Sequence, residues 1–263
     1  MYRIVEIGCF SSPRPNKKEN EDFLLLPTYD FRKNVVFAVA DGVGSLHGSS
    51  QASIAAITAI SNILKDPDFS IEKAMFQAKD EINYLASRDK TYNQSATTLT
   101  LVQVGLDYIR IGHVGDCRAY FKMGGKLVQL TKDHTRYQEV IDSGIYTPQM
   151  IHAHKERLTS VITKAITQQH PLDFDIIELP TNDLVDDDNI IITLMSDGAY
   201  MHWHKRPRFA TSTMNNPLAF VNNLHKRIEK NPSDDYTCLS VKLKKYDFSD
   251  NDLTTSNKCE LED

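Results

Sequence analysis

The stretch of residues 35–53, VVFAVADGVGSLHGSSQAS, decides how the rest of the chain is interpreted. Its first part, Val35–Val39, is a nearly continuous apolar run and predicts a strand that is covered on both faces. Asp41 follows where this run ends. Gly42 and Gly44 carry no Cβ, so the backbone beside Asp41 can approach a ligand closely. An isolated Asp-Gly pair would indicate only a tight turn, but the same arrangement recurs in this chain.

Acidic residues stand at the ends of three other predicted strands. Asp197 follows the apolar run Ile190–Met195, and Asp234 comes shortly before the alternating run Thr237–Leu243. Asp116 lies between two further strand-like runs. Because sheets bring the ends of strands together, we expect these carboxylates to converge with the one after the first strand, and their repulsion must be relieved by protonation or by cations. Binding of divalent cations through oxygen ligands is the favoured way to relieve this repulsion.

The composition excludes several classes of function. The chain has 263 residues, 41% of them hydrophobic, which suffices for one large domain. The net charge of −5 and the scattered lysines and arginines argue against nucleic acid as a partner. Without a membrane-length apolar stretch or a signal peptide, we expect a cytoplasmic monomer away from membranes. The cysteines form no CxxC pair and predict neither a zinc site nor disulfides.

Strand-like and helix-like segments come in blocks rather than in strict alternation. Two apolar helices are predicted between residues 49 and 85, and four short strands over residues 97–130, where we expect an antiparallel meander. This order predicts an α+β fold, a four-layer αββα sandwich with two packed antiparallel sheets flanked by helices. A Rossmann-like fold is the weaker alternative, since the chain has no GxGxxG or GxxxxGK[ST] motif.

Two segments are expected to be less ordered. Weak patterning over residues 131–167, with helix starts at Thr135 and at Thr147-Pro148, predicts a mobile flap near the site. Residues 247–263 are acidic and polar, so we expect a disordered tail after a single catalytic domain of residues 1–246.

With these residues in view, the chain resembles the metal-dependent serine/threonine protein phosphatases of type 2C, the PPM family, and its bacterial members in particular. The resemblance runs in order over almost the whole chain. Its motifs are NED at 20–22, DGVG at 41–44, SATT at 95–98, VGDCRAY at 114–120, LTKDHT at 130–135, SDG at 196–198 and DDYT at 234–237. Each motif is weak alone, but their order is specific. The family fold, a β-sandwich flanked by helix pairs, agrees with the pattern.

The resemblance implies a catalytic centre of two Mn²⁺ or Mg²⁺ ions. Asp41 would bridge both ions, Gly42 would supply a backbone carbonyl to one, and Asp197 and Asp234 would complete the other. The family hydrolyses phosphoserine and phosphothreonine in proteins with a water that the metals activate, without a phosphoenzyme. We therefore expect the three aspartates to be the catalytic residues and phosphorylated proteins to be the substrates.

Further residues take supporting roles by the same resemblance. Asp116, together with Asp197, would bind a third ion, and Glu21 and Asp22 would hold water in the outer shell. Family members grip substrate phosphate with an arginine where this chain has Lys17, which lacks the bidentate fork. Arg14 could replace it if the loop folds differently.

The chain departs from the family pattern near the predicted metals. Val43 replaces the histidine that acts as general acid in some members, and His47 is interpreted as an exposed loop residue. We interpret His202 and His204 as surface residues. Met201 stands where many members have another acid. Ala96, Cys117 and Asp235 replace a glycine, a serine and an asparagine of the usual motifs, and the charge of Asp235 puts metal affinity in question.

Two alternatives to a protein phosphatase stay open. Lys17 and Met201 would suit a catalytically weak or inactive pseudophosphatase that binds phosphoproteins, although the three principal aspartates are retained. Metal chemistry alone would also serve a hydrolase of small phosphate esters. The absence of nucleotide motifs and basic patches makes that second alternative weaker.

Overall fold

The computed structural model describes residues 1–44 and 47–246, except for the side chain of Glu156. The strands are β1 (Tyr2–Ser12), β2 (Asp22–Tyr29), β3 (Val35–Asp41), β4 (Ala96–Thr97), β5 (Leu99–Val104), β6 (Tyr108–Val114), β7 (Arg118–Met123), β8 (Lys126–Gln129), β9 (Ile166–Thr167), β10 (Asp175–Pro180), β11 (Asn189–Met195) and β12 (Tyr236–Lys245). The helices are α1 (Ser49–Ile63), α2 (Ile71–Arg88), α3 (Arg136–Ser143), α4 (Pro148–Ala153), α5 (Lys155–Thr159), α6 (Asp197–Lys205), α7 (Thr211–Met214) and α8 (Pro217–Ile228).

Two five-stranded antiparallel sheets form the centre of the protein. The first sheet has the order β1-β12-β11-β7-β8 and the second has the order β10-β6-β5-β3-β2. A short antiparallel pair, β4-β9, lies apart from both. In the first sheet the N-terminal strand β1 pairs along its length with the last strand, β12. The first sheet therefore joins the two ends of the described chain.

β3 shows why the chain forms layers. All its apolar residues are buried, but successive side chains point to opposite faces of the sheet. Phe37 lies in a core with Leu194 and Val241 of the first sheet, whereas Ala38 lies in a core with Ile60 of α1 and residues of α2. A strand buried on both faces is the expected result of its continuous apolar sequence.

A third apolar core lies on the other side of the first sheet. Here Met195 of β11 and Cys238 of β12 pack with Trp203 of α6 and with Phe220 and Leu224 of α8. Three cores separate four layers: α1 and α2, the second sheet, the first sheet, and α6 with α8. The predicted four-layer α+β sandwich is confirmed.

The expected meander over residues 97–130 is wrong in one respect. β5 and β6 pair in the second sheet, whereas β7 and β8 pair in the first. The chain crosses between the sheets at Gly115-Asp116, where Gly115 has φ +101°, in the left-handed region that favours glycine. A Cβ on Gly115 would also overlap the side chain of Thr98. This crossing places Asp116 between the two sheets.

The segment between β8 and β9 contains three short helices, α3 to α5. Both predicted helix starts are present: Thr135 Oγ1 accepts from the N–H of Gln138 (3.3 Å), and Thr147 Oγ1 accepts from the N–H of Met150 (3.4 Å). The mobility of this segment stays a prediction. The expected tail of residues 247–263 lies outside the described residues. Within the described ranges, no helix has the length and apolar content to cross a bilayer.

The interpretation of His202 as a surface residue is wrong, whereas His204 is exposed, as expected. Both lie on α6, a helix that the sequence pattern did not reveal. His202 is only 5% exposed, and His204 Nε2 lies 2.9 Å from Arg118 Nη1 and 3.0 Å from the hydroxyl of Tyr120. The helix packs its inner face on the first sheet, and this face carries His202 next to Trp203.

The inter-sheet core can be tested at Phe37. Replacing Phe37, which is fully buried, with alanine should lower the free energy of unfolding by about 3–5 kcal/mol, because the change removes apolar contact and leaves a cavity. The matched control is Phe31→Ala, since Phe31 is 55% exposed and should lose little. Urea denaturation measures both, and similar losses in the two variants would contradict this account of the core.

Candidate metal centre

The ends of β2 and β3 place two carboxylates side by side. Asp22, the first residue of β2, lies directly opposite Asp41, the last residue of β3. Thr98 fixes the main chain of Asp41: the Asp41 N–H donates to Thr98 Oγ1 (3.1 Å), and the Asp41 carbonyl accepts from the Thr98 N–H (2.8 Å). The backbone is therefore held firmly while the Asp41 side chain lines a cavity.

Close packing requires glycine directly after Asp41. A Cβ on Gly42 would overlap the carbonyl oxygen of Ser49 at the start of α1, and one on Gly44 would overlap the carboxylate of Glu21. The groups that approach the DGVG motif closely are parts of the protein itself, and the predicted close approach to a ligand stays a prediction. Glycine at these positions lets α1 and the residues before β2 lie directly on this backbone.

Ser196 ties together the ends of three strands. It follows β11, and its Oγ donates to Asp22 Oδ2 (2.7 Å) and accepts from the N–H of Thr237 in β12 (2.9 Å). Asp197 comes next, as the first residue of α6, and its side chain lines the same cavity as Asp41. The SDG motif therefore supplies one residue that fixes the strands and one that faces the cavity.

Asp235 holds the loop between β1 and β2 against the start of β12. Its Oδ1 accepts from the main-chain N–H of Arg14 (2.9 Å), and its Oδ2 accepts from the N–H of Glu21 (2.8 Å) and from Lys17 Nζ (3.4 Å). Asp235 is only 3% exposed. Its charge is therefore compensated by these donors, whereas the neighbouring Asp234 is half-exposed at the cavity.

These elements line a cavity of about 410 Å³. The carboxylates of its lining are Glu21, Asp41, Asp116, Asp197, Asp234 and Asp235. Among the described residues of the lining, Arg14 supplies the one cationic side chain, and its Nη1 lies 3.5 Å from Asp234 Oδ1. Thr159, the last residue of α5, completes the wall together with Ser160 and Ile162, which follow the helix. The cavity is therefore strongly acidic.

Two buried carboxylate oxygens have no hydrogen-bond partner among the described residues. They are Oδ1 of Asp22 and Oδ1 of Asp116, whose side chains are 2% and 4% exposed. Buried polar atoms without a partner are rare, because each loses the hydrogen bonds that water would provide. These two atoms therefore fit a site that is completed by a cation or by ordered water.

Burial and mutual repulsion raise the pKa of these carboxyl groups. Burial raises the pKa of Asp22 to about 7 and that of Asp197 to about 6, and nearby aspartates add to both shifts. Burial and the charge of Asp22 raise the pKa of Asp41 well above its usual range, and burial and the charge of Asp197 do the same for the pKa of Asp116. The site disfavours its own negative charge, which a divalent cation would offset.

The donor set suits a hard cation such as Mg²⁺ or Mn²⁺. Every side chain that could ligate in the cavity offers oxygen, and the described part of its lining includes no histidine or cysteine. No three histidine, cysteine, aspartate or glutamate side chains of the described residues already form a group that could hold an ion. Ions held here would therefore also need the Gly42 carbonyl and water as ligands.

The structure brings most of the predicted site residues together. Those that line the cavity are Glu21, Asp41, Gly42, Asp116, Asp197 and Asp234. Asp22 lies next to the cavity, opposite Asp41 in the sheet. Lys17 is not part of the lining, because its ammonium pairs with Glu21 and Asp235 and only 19% of the side chain is exposed. Their roles as metal and phosphate ligands stay predictions.

Some cavity residues were not predicted from the sequence. Thr159, Ser160 and Ile162 belong to the weakly patterned segment and stand in no motif that would mark them. His47 is exposed, as expected, and its ring stacks against Tyr92 with centroids 5.8 Å apart.

Comparisons with known proteins show the family to which the chain belongs. The family model described as protein phosphatase 2C matches residues 12–230. The chain therefore belongs to the protein phosphatase 2C family. It is 29% identical over 137 residues to the serine/threonine protein phosphatase PstP of Mycobacterium tuberculosis, a match that covers 50% of this chain and 26% of PstP. The chain thus spans about a quarter of the length of that relative.

Two further similarities cover more of the chain. The protein phosphatase PhpP of Streptococcus pneumoniae is 23% identical over 197 residues, which cover 71% of this chain and 79% of PhpP. The crystal structure of the catalytic domain of the serine/threonine protein phosphatase PstP in complex with two manganese ions has a TM-score of 0.71 and 20% identity, and the match covers 93% of this chain and 100% of that one. This structural similarity shows the fold.

The raised pKa values predict how the stability of the metal-free protein depends on pH. Because the folded-state pKa values of Asp22 and Asp197 lie above the unfolded value, stability should be greatest at low pH and fall as the pH rises through about 6 to 7. We expect the free energy of unfolding in EDTA to decrease by on the order of 2 kcal/mol between about pH 5 and pH 7.5.

Neutralising one of the repelling groups should reverse this trend. Asp41→Asn should stabilise the metal-free protein at about pH 7.5 and remove most of the stabilisation by added Mn²⁺. Asp80→Asn, on the exposed side of α2, is the matched control and should change neither quantity. Thermal unfolding with EDTA and with Mn²⁺ measures both, and a metal-free Asp41→Asn protein less stable than wild type would contradict the repulsion argument.

Proposed function

We propose that this protein is a metal-dependent phosphatase that removes phosphate from phosphoserine and phosphothreonine in proteins. The observation that carries the proposal is the acidic cavity at the strand ends, where carboxylates far apart in sequence meet. In or beside it, two buried carboxylate oxygens have no hydrogen-bond partner within residues 1–44 and 47–246. Membership of the protein phosphatase 2C family supports it independently.

The proposed centre contains two Mn²⁺ or Mg²⁺ ions and, with Asp116, a third. Asp41 and the Gly42 carbonyl would hold the first ion, and Asp41, Asp197 and Asp234 the second. When bound, such ions lower the pKa of water toward neutrality and offset charge on phosphoryl oxygens. The two-manganese structure of PstP, a protein of the same fold, is consistent with this number of ions.

The contacts of Glu21 and Asp22 suit an outer-shell role. The Glu21 carboxylate accepts from Ser49 Oγ (2.6 Å) and pairs with Lys17, so both its oxygens already have partners. Asp22 uses one oxygen for Ser196, and its other oxygen has no partner among the residues that the structure describes. Both side chains are therefore suited to orient water near the ions rather than to bind the ions directly.

The proton for the leaving oxygen has no obvious side-chain donor. Val43 lines the cavity where some family members have a histidine, and the described part of the lining contains no histidine at all. His47 stacks on Tyr92 instead. We therefore infer that water in the cavity protonates the leaving serine or threonine oxygen.

The shape of the surroundings favours a protein substrate over a small phosphate ester. A cavity of about 590 Å³ adjoins the site and shares Val43 and Ile162 with it, and one of about 280 Å³ shares Asp197 and Asp234. Each of the two outer cavities thus adjoins the central one. A cleft of this extent suits a peptide on both sides of the phosphorylated residue, whereas a small ester would need only the central cavity.

The remaining expectations about partners stay proposals. The net charge of −5 supports the expectation that nucleic acid is not a partner. A cytoplasmic location and a monomeric state also remain proposals. The pseudophosphatase alternative gains no support, because Asp41, Asp197 and Asp234 all line the cavity.

Metal-dependent hydrolysis is the first test. The purified protein should hydrolyse a phosphothreonine peptide with Mn²⁺ or Mg²⁺ and lose this activity in EDTA. Asp41→Asn and Asp197→Ala should reduce the metal-dependent rate to near the EDTA level, because each removes a proposed ligand. Phosphate release measures the rate, with Asp80→Asn as the control. Full activity in either active-site variant would refute the proposed centre.

Binding of the substrate phosphate should depend on Arg14 rather than on Lys17. The Arg14 guanidinium lines the cavity and is 44% exposed, whereas the Lys17 ammonium is held by two carboxylates. Arg14→Ala should raise KM for the peptide by about tenfold, the effect of losing one charge-assisted hydrogen bond. Lys17→Ala should instead lower stability, with a smaller effect on KM. The reverse pattern, a larger KM effect at Lys17, would show that the loop rearranges when substrate binds.

A further inference from the structure

His134 is a buried residue that has no part in the proposed mechanism. It is 8% exposed and belongs to the segment between β8 and α3. Its ring Nδ1 accepts from the main-chain N–H of Gly115 (3.1 Å), and the main-chain N–H of His134 donates to the Gly115 carbonyl (2.8 Å). Two hydrogen bonds therefore join His134 to the residue directly before Asp116.

The hydrogen bonds define the form of the imidazole. Because the Gly115 N–H can only donate, Nδ1 must accept and carries no proton. The proton of the neutral ring is then on Nε2, which lies 3.1 Å from Asp175 Oδ2 and donates to it. Asp175, at the start of β10, thus orients the ring so that Nδ1 faces the Gly115 turn.

The other side of His134 leads to the wall of the cavity. The carbonyl of His134 accepts from the N–H of Thr163 (2.8 Å), and Thr135 next to it forms a β-bridge with Ile162. Ile162 lines the same cavity as Asp116. His134 therefore contacts both the segment that follows the three short helices and the turn that carries Asp116.

The Gly115-Asp116 turn depends on contacts of this kind. It crosses between the two sheets, so residues 115–117 lie outside both ladders, and Gly115 adopts φ +101°. The Asp116 side chain is buried, and its Oδ1 has no partner among the described residues. Its position must be fixed through the backbone, and His134 supplies two of the hydrogen bonds that do so.

We propose that His134 is a positioning residue: its Nδ1 sets the place of the Asp116 carboxylate and links it to the cavity wall at residues 162–163. The inference rests on the proposed function, since it assumes that Asp116 helps to hold an ion. It assigns His134 a role toward the metal centre without any contact to the ion.

Two polar substitutions separate this role from simple core filling. In His134→Asn the amide oxygen takes the place of Nδ1 and can still accept from the Gly115 N–H. In His134→Gln the polar end of the side chain takes the place of Nε2, keeps Asp175 as partner and leaves the Gly115 N–H without an acceptor. Both variants lose the ring, so a purely structural role would affect them alike.

The test is a titration with Mn²⁺ alone, followed by the electron paramagnetic resonance of the free ion, on wild type and both variants. We expect His134→Gln to weaken the weakest Mn²⁺ site by about tenfold or more, and His134→Asn to stay near the wild-type affinity. Thermal unfolding in EDTA confirms that each variant is folded before it is titrated.

Every outcome is decisive. Equal Mn²⁺ affinities in the two variants, or a wild-type affinity in His134→Gln, would overturn the role of Nδ1 while leaving the phosphatase proposal intact. A wild-type protein that binds no Mn²⁺ would overturn both proposals at once. Should His134→Gln fail to fold while His134→Asn folds and binds Mn²⁺ normally, the Gly115 bond is needed for the fold as a whole and the specific positioning role is refuted.

Discussion

The repulsion between buried carboxylates at the strand ends is the constraint on which the rest of the structure depends. Asp22, Asp41, Asp116 and Asp197 all have raised pKa values, and burial is the leading cause for each. A fold that brings such groups together must hold them by other means. Three packed apolar cores hold the layers together, and the stability they provide offsets the unfavourable burial of the carboxylates.

The polar contacts around the cavity divide the carboxylates into two kinds. Asp235 is surrounded by donors and fixes the loop before β2, so its charge serves the fold. Asp116 has a buried oxygen for which the described part of the chain offers no hydrogen-bond partner. Acidic residues that line the same cavity therefore differ in role according to the hydrogen-bond donors around them. The departure from the family motif at position 235 is explained by these contacts with the loop.

The features of the structure that depend on a local sequence pattern were predicted correctly. The apolar run of β3, the caps at Thr135 and Thr147, and the acids at strand ends are each visible within a few residues. They led to the correct fold class and to most of the cavity. The crossing at Gly115 was missed because a strand pattern does not reveal which sheet a strand joins. Arg14 could not be preferred to Lys17, because the difference depends on Asp235, more than two hundred residues away.

The pairing of β1 with β12 has a consequence for synthesis of the protein. The loop that carries Arg14 and Glu21 is fixed by Asp235, which lies near the end of the described chain. A chain still on the ribosome lacks this partner until the last strand has emerged, although domains otherwise begin to fold from the N-terminus. Because this loop lines the cavity, the acidic cavity is completed only after the last strand has emerged.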